Sequence, residues 1–256
     1  MTEIVGILPF AILGLFVGVL IGCVGVGGVL LVPGLVYLLG MDVHTAIATC
    51  MFSFLFSGAA GAIEYARRGS IRWSMTLWLC ACAMPAAYVG AAAVSILPGR
   101  WLEGIVAALL LFSGVYALRR RAGDSSRALA SPLGLGMVGA FTGFGSALSG
   151  TGGPLLLIPI LVWMKVPLLT AVGLGQVIQL PIAALASVGN FQLGEVDIEA
   201  GLAIAVLLVL GVVAGARLAH RFPASALKAI VAGVLITVGV AMASRMLYAT
   251  WIDVVP

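Results

Sequence analysis

The residues of this chain whose type and spacing could do chemistry are uncharged. Gly25, Gly27 and Gly28 stand in "GVGGVLLVPG", and Gly150, Gly152 and Gly153, with Thr151 among them, stand in "GTGGPLLLIP". Glycine reaches torsions closed to other residues and lets another helix or a ligand approach the main chain. A helix that starts just after such a turn presents free N–H groups and the equivalent of about half a positive charge, which suits an anion. Close helix packing is the competing use of the same glycines, since small residues line helix contacts in membranes.

Two polar pairs accompany the turns. Thr49 and Ser53, and Gln176 and Gln179, are spaced so that each pair shares a helix face. They could donate hydrogen bonds to a bound anion, or serve as bonds between helices. Ser146, Ser149 and Thr151 flank the second turn and could add hydroxyls, or bond back to their own backbone. Asp42 or Thr45 is suited to cap a helix start beside His44, and Asn190, near the end of its span, to serve as a cap or an interface residue. No Ser/His, paired Asp or His/Glu metal constellation falls at membrane depth, so catalysis is not expected, nor is a metal or other cofactor.

The elements that must position these residues are membrane helices. Of 256 residues 62% are hydrophobic and 9% charged, with mean hydropathy +1.23, whereas about a quarter of a soluble domain is charged. Strands of alternating polarity are absent, which leaves a helical bundle. The apolar N-terminal stretch has no basic residue before it, so neither a cleaved signal nor a lipoprotein site at Cys23 is expected. Cys23, Cys50, Cys80 and Cys82 lie in apolar segments with neither disulfide nor zinc spacing. The net charge of +4 is spread over short loops, so it reports topology and not nucleic-acid binding.

Shifted by 125 residues, "GVGGVLL" falls on "GTGGPLL" with five of seven positions identical. Pro98 falls on Pro223, and Gly69 and Gly90 fall on Gly194 and Gly215. Two repeats, residues 1–121 and 131–256, are therefore expected, joined by a linker over 122–130 inside the basic stretch "RRRAGDSSRALASP". That stretch is expected in the cytoplasm. Arg67, Arg68 and Arg72 stand where the second half has Glu195 and Asp197, while the loop with Arg217, Arg221 and Lys228 answers a loop of balanced charge. Equivalent loops thus face opposite sides, an inverted-topology repeat with both termini external.

Inversion needs an odd number of crossings per half. Each half offers a hairpin bent at its glycines, either spanning or re-entrant: Val5–Val24 with Val29–Leu39, and Leu133–Ser149 with Pro154–Met164. Three spans follow in each: Thr45–Tyr65, Trp73–Leu97 and Trp101–Leu118, then Thr170–Asn190, Ile198–Leu218 and Ala226–Tyr248. Trp73, Trp101 and Trp251 lie near span ends, as an interfacial belt requires. No Asp, Glu, Lys or Arg lies in the middle of a span, which disfavours a carboxylate proton relay.

The two glycine regions, "GCVGVGGVLLVPGLVYLLGMDVHTAIATCMFS" and "GSALSGTGGPLLLIPILVWMKVPLLTAVGLGQVIQLPIA", closely resemble the signature regions of the sulfite exporter TauE/SafE family. The resemblance runs over nearly the whole chain. It implies a bacterial inner-membrane permease that moves sulfite, sulfoacetate or a related small anion, usually outward. Two departures bear on the substrate: Cys50 follows Thr49 where the family often has Thr-Ser, and Gln176 and Gln179 stand where hydroxyls could serve. The expected partners are the lipid bilayer and a small anion, with a homo-oligomer allowed and not required. An anion channel and a non-transporting membrane scaffold or assembly factor are the alternatives; coupling ion and direction are not legible.

Overall fold

A computed structural model describes residues 2–119, 131–193, 196–219, 233, 236–245 and 248. The linker over 122–130, Gly194, Glu195, Arg221, Pro223, Lys228, Trp251 and about half of the expected span Ala226–Tyr248 lie outside the described residues. Every regular element among those described is helical. In chain order these are α1 (Thr2–Val24), a short 3-10 turn (Gly28–Leu30), α2 (Leu31–Leu39), α3 (Val43–Arg67), α4 (Trp73–Ile96) and α5 (Gly99–Arg119). Then come α6 (Pro132–Ser149), α7 (Pro154–Trp163), α8 (Leu168–Leu193), α9 (Ile198–Ala219) and α10 (Ile236–Arg245).

Four of them, α3, α4, α8 and α9, are long and apolar enough to cross a membrane. At 1.5 Å per residue the 25 residues of α3 reach roughly 37 Å, whereas the nine of α2 and the ten of α7 reach only ~15 Å, half the hydrocarbon. Local chemistry sets the boundaries. Asp42 caps α3 by accepting from the His44 N–H at 2.8 Å, as one of the two expected caps. Ser131 caps α6 by accepting from Gly134 N–H at 3.1 Å, with Pro132 in the first turn, where its missing N–H costs nothing. Asp197 caps α9 through Ala200 N–H.

The helices pair in a reciprocal way. α1 lies along α9, where Gly18 packs on Leu208 so closely that a Cβ would stand 2.7 Å from its carbonyl oxygen. α6 lies along α4, where Gly143 packs on the Ala83 carbonyl. Under the 125-residue register Gly18 corresponds to Gly143 and Leu208 to Ala83. Likewise Gly90 meets the Phe144 carbonyl and Gly215 the Val19 carbonyl. Such contacts bring backbones together, and dispersion between them supplies cohesion that lipid cannot supply by the hydrophobic effect.

α3 and α8 cross at the centre. Gly58 faces Gln179 and Gly61 faces Gln176, so advancing three residues on one helix means retreating three on the other. The two run antiparallel, although they occupy the same place in the 125-residue register. The large exposed side chains Trp73, Leu77, Ile96, Trp101 and Leu133 form an apolar outer surface suited to lipid. Trp73 and Trp101 stand in the first turns of α4 and α5, at the span ends where the interfacial belt was expected.

Candidate functional site

The two glycine turns meet at the α3/α8 crossing. Gly28 lies against the other turn, where a Cβ would stand 2.7 Å from the Thr151 carbonyl oxygen. Gly25 faces Pro154 and Ile158 at the start of α7, and Gly150 faces Val32 of α2 and the Ile47 backbone of α3. Gly25 and Gly150 have φ of +75° and +66°, and Gly152 and Gly153 +80° and +120°. L-residues rarely enter this region, so the first turn depends on one such glycine and the second on three. All six turn glycines and Thr151 are buried.

One aromatic ring joins the turns. Phe54, fully buried on α3, packs on both Gly28 and Gly152, where Cβ atoms would stand 3.0 and 2.8 Å from its ring carbons. Gln179 approaches Gly152 from α8 and donates from Nε2 to the Phe54 carbonyl at 3.0 Å and to Ser57 Oγ at 2.9 Å. Gln176 donates from Nε2 to the Ile21 carbonyl at 3.0 Å. Its Oε1, lying over Gly61, has no hydrogen-bond partner.

The structure therefore brings Gly25, Gly27, Gly28, Gly150, Thr151, Gly152, Gly153, Gln176 and Gln179 to one region around the crossing. Thr49 and Ser53 turn elsewhere. Ser53 Oγ donates to the Gly201 carbonyl at 2.8 Å and to the Thr49 carbonyl at 2.9 Å, while Thr49 Oγ1 accepts the Asp197 N–H at 3.1 Å. In this conformation both hydroxyls bind α3 to the start of α9. The side-chain amides of Gln176 and Gln179 are also engaged with protein.

Ser149 bonds back to the Gly145 carbonyl at 2.7 Å and meets Thr151 Oγ1 at 3.1 Å, but Ser146 has no partner. Of the two roles expected for Asn190, it does not take that of a cap. α8 runs on to Leu193, so Asn190 caps nothing and lies buried with both amide atoms unpartnered.

Phe54, Ser57, Gly58 and Gly61 were missed as parts of this site. The signal was present in the register that sets Phe54 against Gln179, but it says nothing of which side chains cross the helix interface. At one end of α3, Tyr65 donates to the Gly22 carbonyl at 2.9 Å, Arg68 to the Ala216 carbonyl at 3.1 Å, and Glu64 pairs with Arg68 and, at 3.7 Å, with Arg217. Near the other end of α3, Asp42 is partly desolvated. Hydrogen bonds from the His44 N–H and ring, with the imidazole's charge, outweigh this and hold the carboxyl below its usual range.

Half-membrane helices that begin at buried glycine turns, inside a bundle of long apolar helices, define a multi-pass membrane protein of the transporter class. The family model described as "Sulfite exporter TauE/SafE" matches residues 10–242. The chain belongs to that family, one of membrane transporters and not of enzymes. Similar curated proteins are "Probable membrane transporter protein YdhB" of Bacillus subtilis (strain 168), 25% identical over 82% of this chain and 89% of the relative, and "Probable membrane transporter protein" of Xylella fastidiosa (strain 9a5c), 26% identical over 94% and 95%. No solved structure matches the chain.

Proposed function

We propose that the protein is a secondary transporter that exports a small oxyanion, such as sulfite, sulfoacetate or a related organosulfur anion, across the bacterial cytoplasmic membrane by alternating access. The observation that carries the reading is the meeting of two glycine turns, each opening a half-membrane helix, across an antiparallel crossing of α3 and α8. Corresponding helices that run antiparallel imply a pseudo-two-fold axis in the membrane plane. This supports two inverted repeats, 1–121 and 131–256, with the linker in the cytoplasm and the termini outside.

The anion binds between the turns, with Gly25, Gly27, Gly28, Gly150, Thr151, Gly152 and Gly153 offering main-chain N–H groups. Gln176 and Gln179 exchange their present protein bonds for bonds to the anion when the repeats rock, and Thr49 and Ser53 line the α9 side. The burial of the turns supports an occluded form, in which Phe54 fills the space between Gly28 and Gly152. Neutral donors hold an anion firmly enough to select it and loosely enough to release it.

Sulfite flux into proteoliposomes tests this. Gln176→Leu should fold and lose most of the flux, and Gly152→Ala, the smallest probe of a turn that needs positive φ beside the Phe54 ring, should lose flux and fold less stably. Native flux in both variants would remove the site. A saturable flux with counterflow distinguishes the carrier from a channel, and absence of flux or stabilisation with any small anion would leave a scaffold.

A further inference from the structure

Four polar residues of the second half stand where the first half has apolar or aromatic ones. In the 125-residue register Val17, Ile21, Ala62 and Tyr65 correspond to Thr142, Ser146, Ser187 and Asn190. Three of the first set, Val17, Ile21 and Tyr65, are buried. The second set is polar and, at 0, 0, 4 and 1% exposure, equally enclosed.

None of the four has a hydrogen-bond partner for its side-chain polar atoms; Ser113 Oγ and Gln176 Oε1 are the other such atoms among the described residues. Orphaned buried polar groups are rare, because each costs its lost hydration. Five such atoms on four residues of two packed helices point to a polar guest.

In the corresponding half two of the equivalent positions are joined through Gly22. Tyr65 on α3 reaches the Gly22 carbonyl on α1, beside Ile21. The counterparts are Asn190 on α8, Ala147 on α6 and Ser146 beside it. Exchanging Tyr for Asn and Ile for Ser replaces bulky side chains by smaller ones and adds hydroxyl and amide donors.

Resting on the transport reading above, we propose that Thr142, Ser146, Ser187 and Asn190 form a second, hydrated station for the transported oxyanion, between the glycine turns and one face of the membrane. At the corresponding place in the first half stand Tyr65, bonded to the Gly22 carbonyl, and the Glu64–Arg68 pair. The guest is a small oxyanion: three hydroxyls and an amide N–H2 can all donate to it. The asymmetry makes one half a plug and the other a path.

The test separates stability from transport. Replacing an orphaned polar group by an apolar one of similar size should stabilise the fold while damaging the station. Asn190→Leu should therefore raise the melting temperature in detergent by a few degrees and raise the KM for sulfite about tenfold in proteoliposomes. Asn190→Gln should restore much of the affinity.

A lower melting temperature with native KM would make Asn190 a structural residue and overturn the station. So would stabilisation by sodium alone, in sulfite-free buffer, that Asn190→Leu abolishes while sulfite KM stays native; the guest would then be a cation. If Asn190→Leu does not yield monodisperse protein, Ser146→Ala with Ser187→Ala carries the same comparison. Loss of flux in Gln176→Leu with native KM in these station variants would sink the station alone, whereas a native protein that moves no sulfite would sink both readings.

Discussion

Gln179 donates its side-chain amide to the main-chain carbonyl of Phe54 at 3.0 Å, and the two residues stand 125 positions apart, at the same place in the register of the two halves. The bond joins α3 to α8 where they meet, and the ring of Phe54 reaches from there to Gly28 and Gly152 in the two glycine turns.

Gln179→Leu removes two bonds, to the Phe54 carbonyl and to Ser57 Oγ, and leaves those two groups only the long 3.4 Å bond from Ser57 Oγ to the Phe54 carbonyl. The expected loss is about 1–3 kcal/mol. Thermal unfolding in detergent, compared with Ser57→Ala, measures it; Ser57→Ala should cost less, since Gln179 keeps the carbonyl.

Gly61→Val should be among the most damaging single changes on α3. The added Cβ would overlap the Gln176 side chain, which sits directly over Gly61. Overpacking costs about 1–3 kcal/mol, and Gln176 would also lose its hold on the Ile21 carbonyl. Yield of folded protein and melting temperature report this. Gly61→Val combined with Gln176→Ala should recover part of the loss.

Asp42→Ala should weaken the start of α3 by about 0.5–2 kcal/mol through loss of its cap. Its folded pKa lies below the unfolded one, so the carboxylate's contribution is present above the unfolded value near 4 and is lost as pH falls through the folded value. Melting curves of the native and Asp42→Ala proteins should differ at pH 7 and draw together only as the pH falls below the unfolded value near 4.

Arg68→Ala should cost more than Arg217→Ala. Arg217 is 65% exposed and meets Glu64 only at 3.7 Å, so its pair with Glu64 is worth less than about 1 kcal/mol. Arg68 also donates to the Ala216 carbonyl and joins α3 to α9. A double-mutant cycle on Glu64 with each arginine checks the order, and high salt should erase most of the Arg217 coupling.

Much of the architecture was legible because membrane burial writes itself into composition. Trp73–Leu97 and Ile198–Leu218 are close to α4 and α9, since twenty-odd apolar residues in hydrocarbon have no alternative to a helix. The breaks at Gly25–Gly28 and Gly150–Gly153 were legible for the same reason, because glycine and proline punctuate such runs.

The partners of Thr49, Ser53, Gln176 and Gln179 were not. Spacing showed that each pair shares a face, but not what that face meets. Ser53 reaches Gly201 and Gln176 reaches Ile21, across 148 and 155 residues of chain.

By itself, then, the sequence determined a helical membrane protein of the TauE/SafE sulfite exporter family, with glycine breaks recurring at a fixed interval. These properties follow from composition, periodicity and the resemblance of its motifs. Only the tertiary structure decided that the two turns touch, that Phe54 lies against both, and that the amide of Asn190 is enclosed without a partner among the described residues. The physical reason is that hydrogen-bond satisfaction and packing belong to pairs of helices, and pairing between distant helices is written in no local pattern.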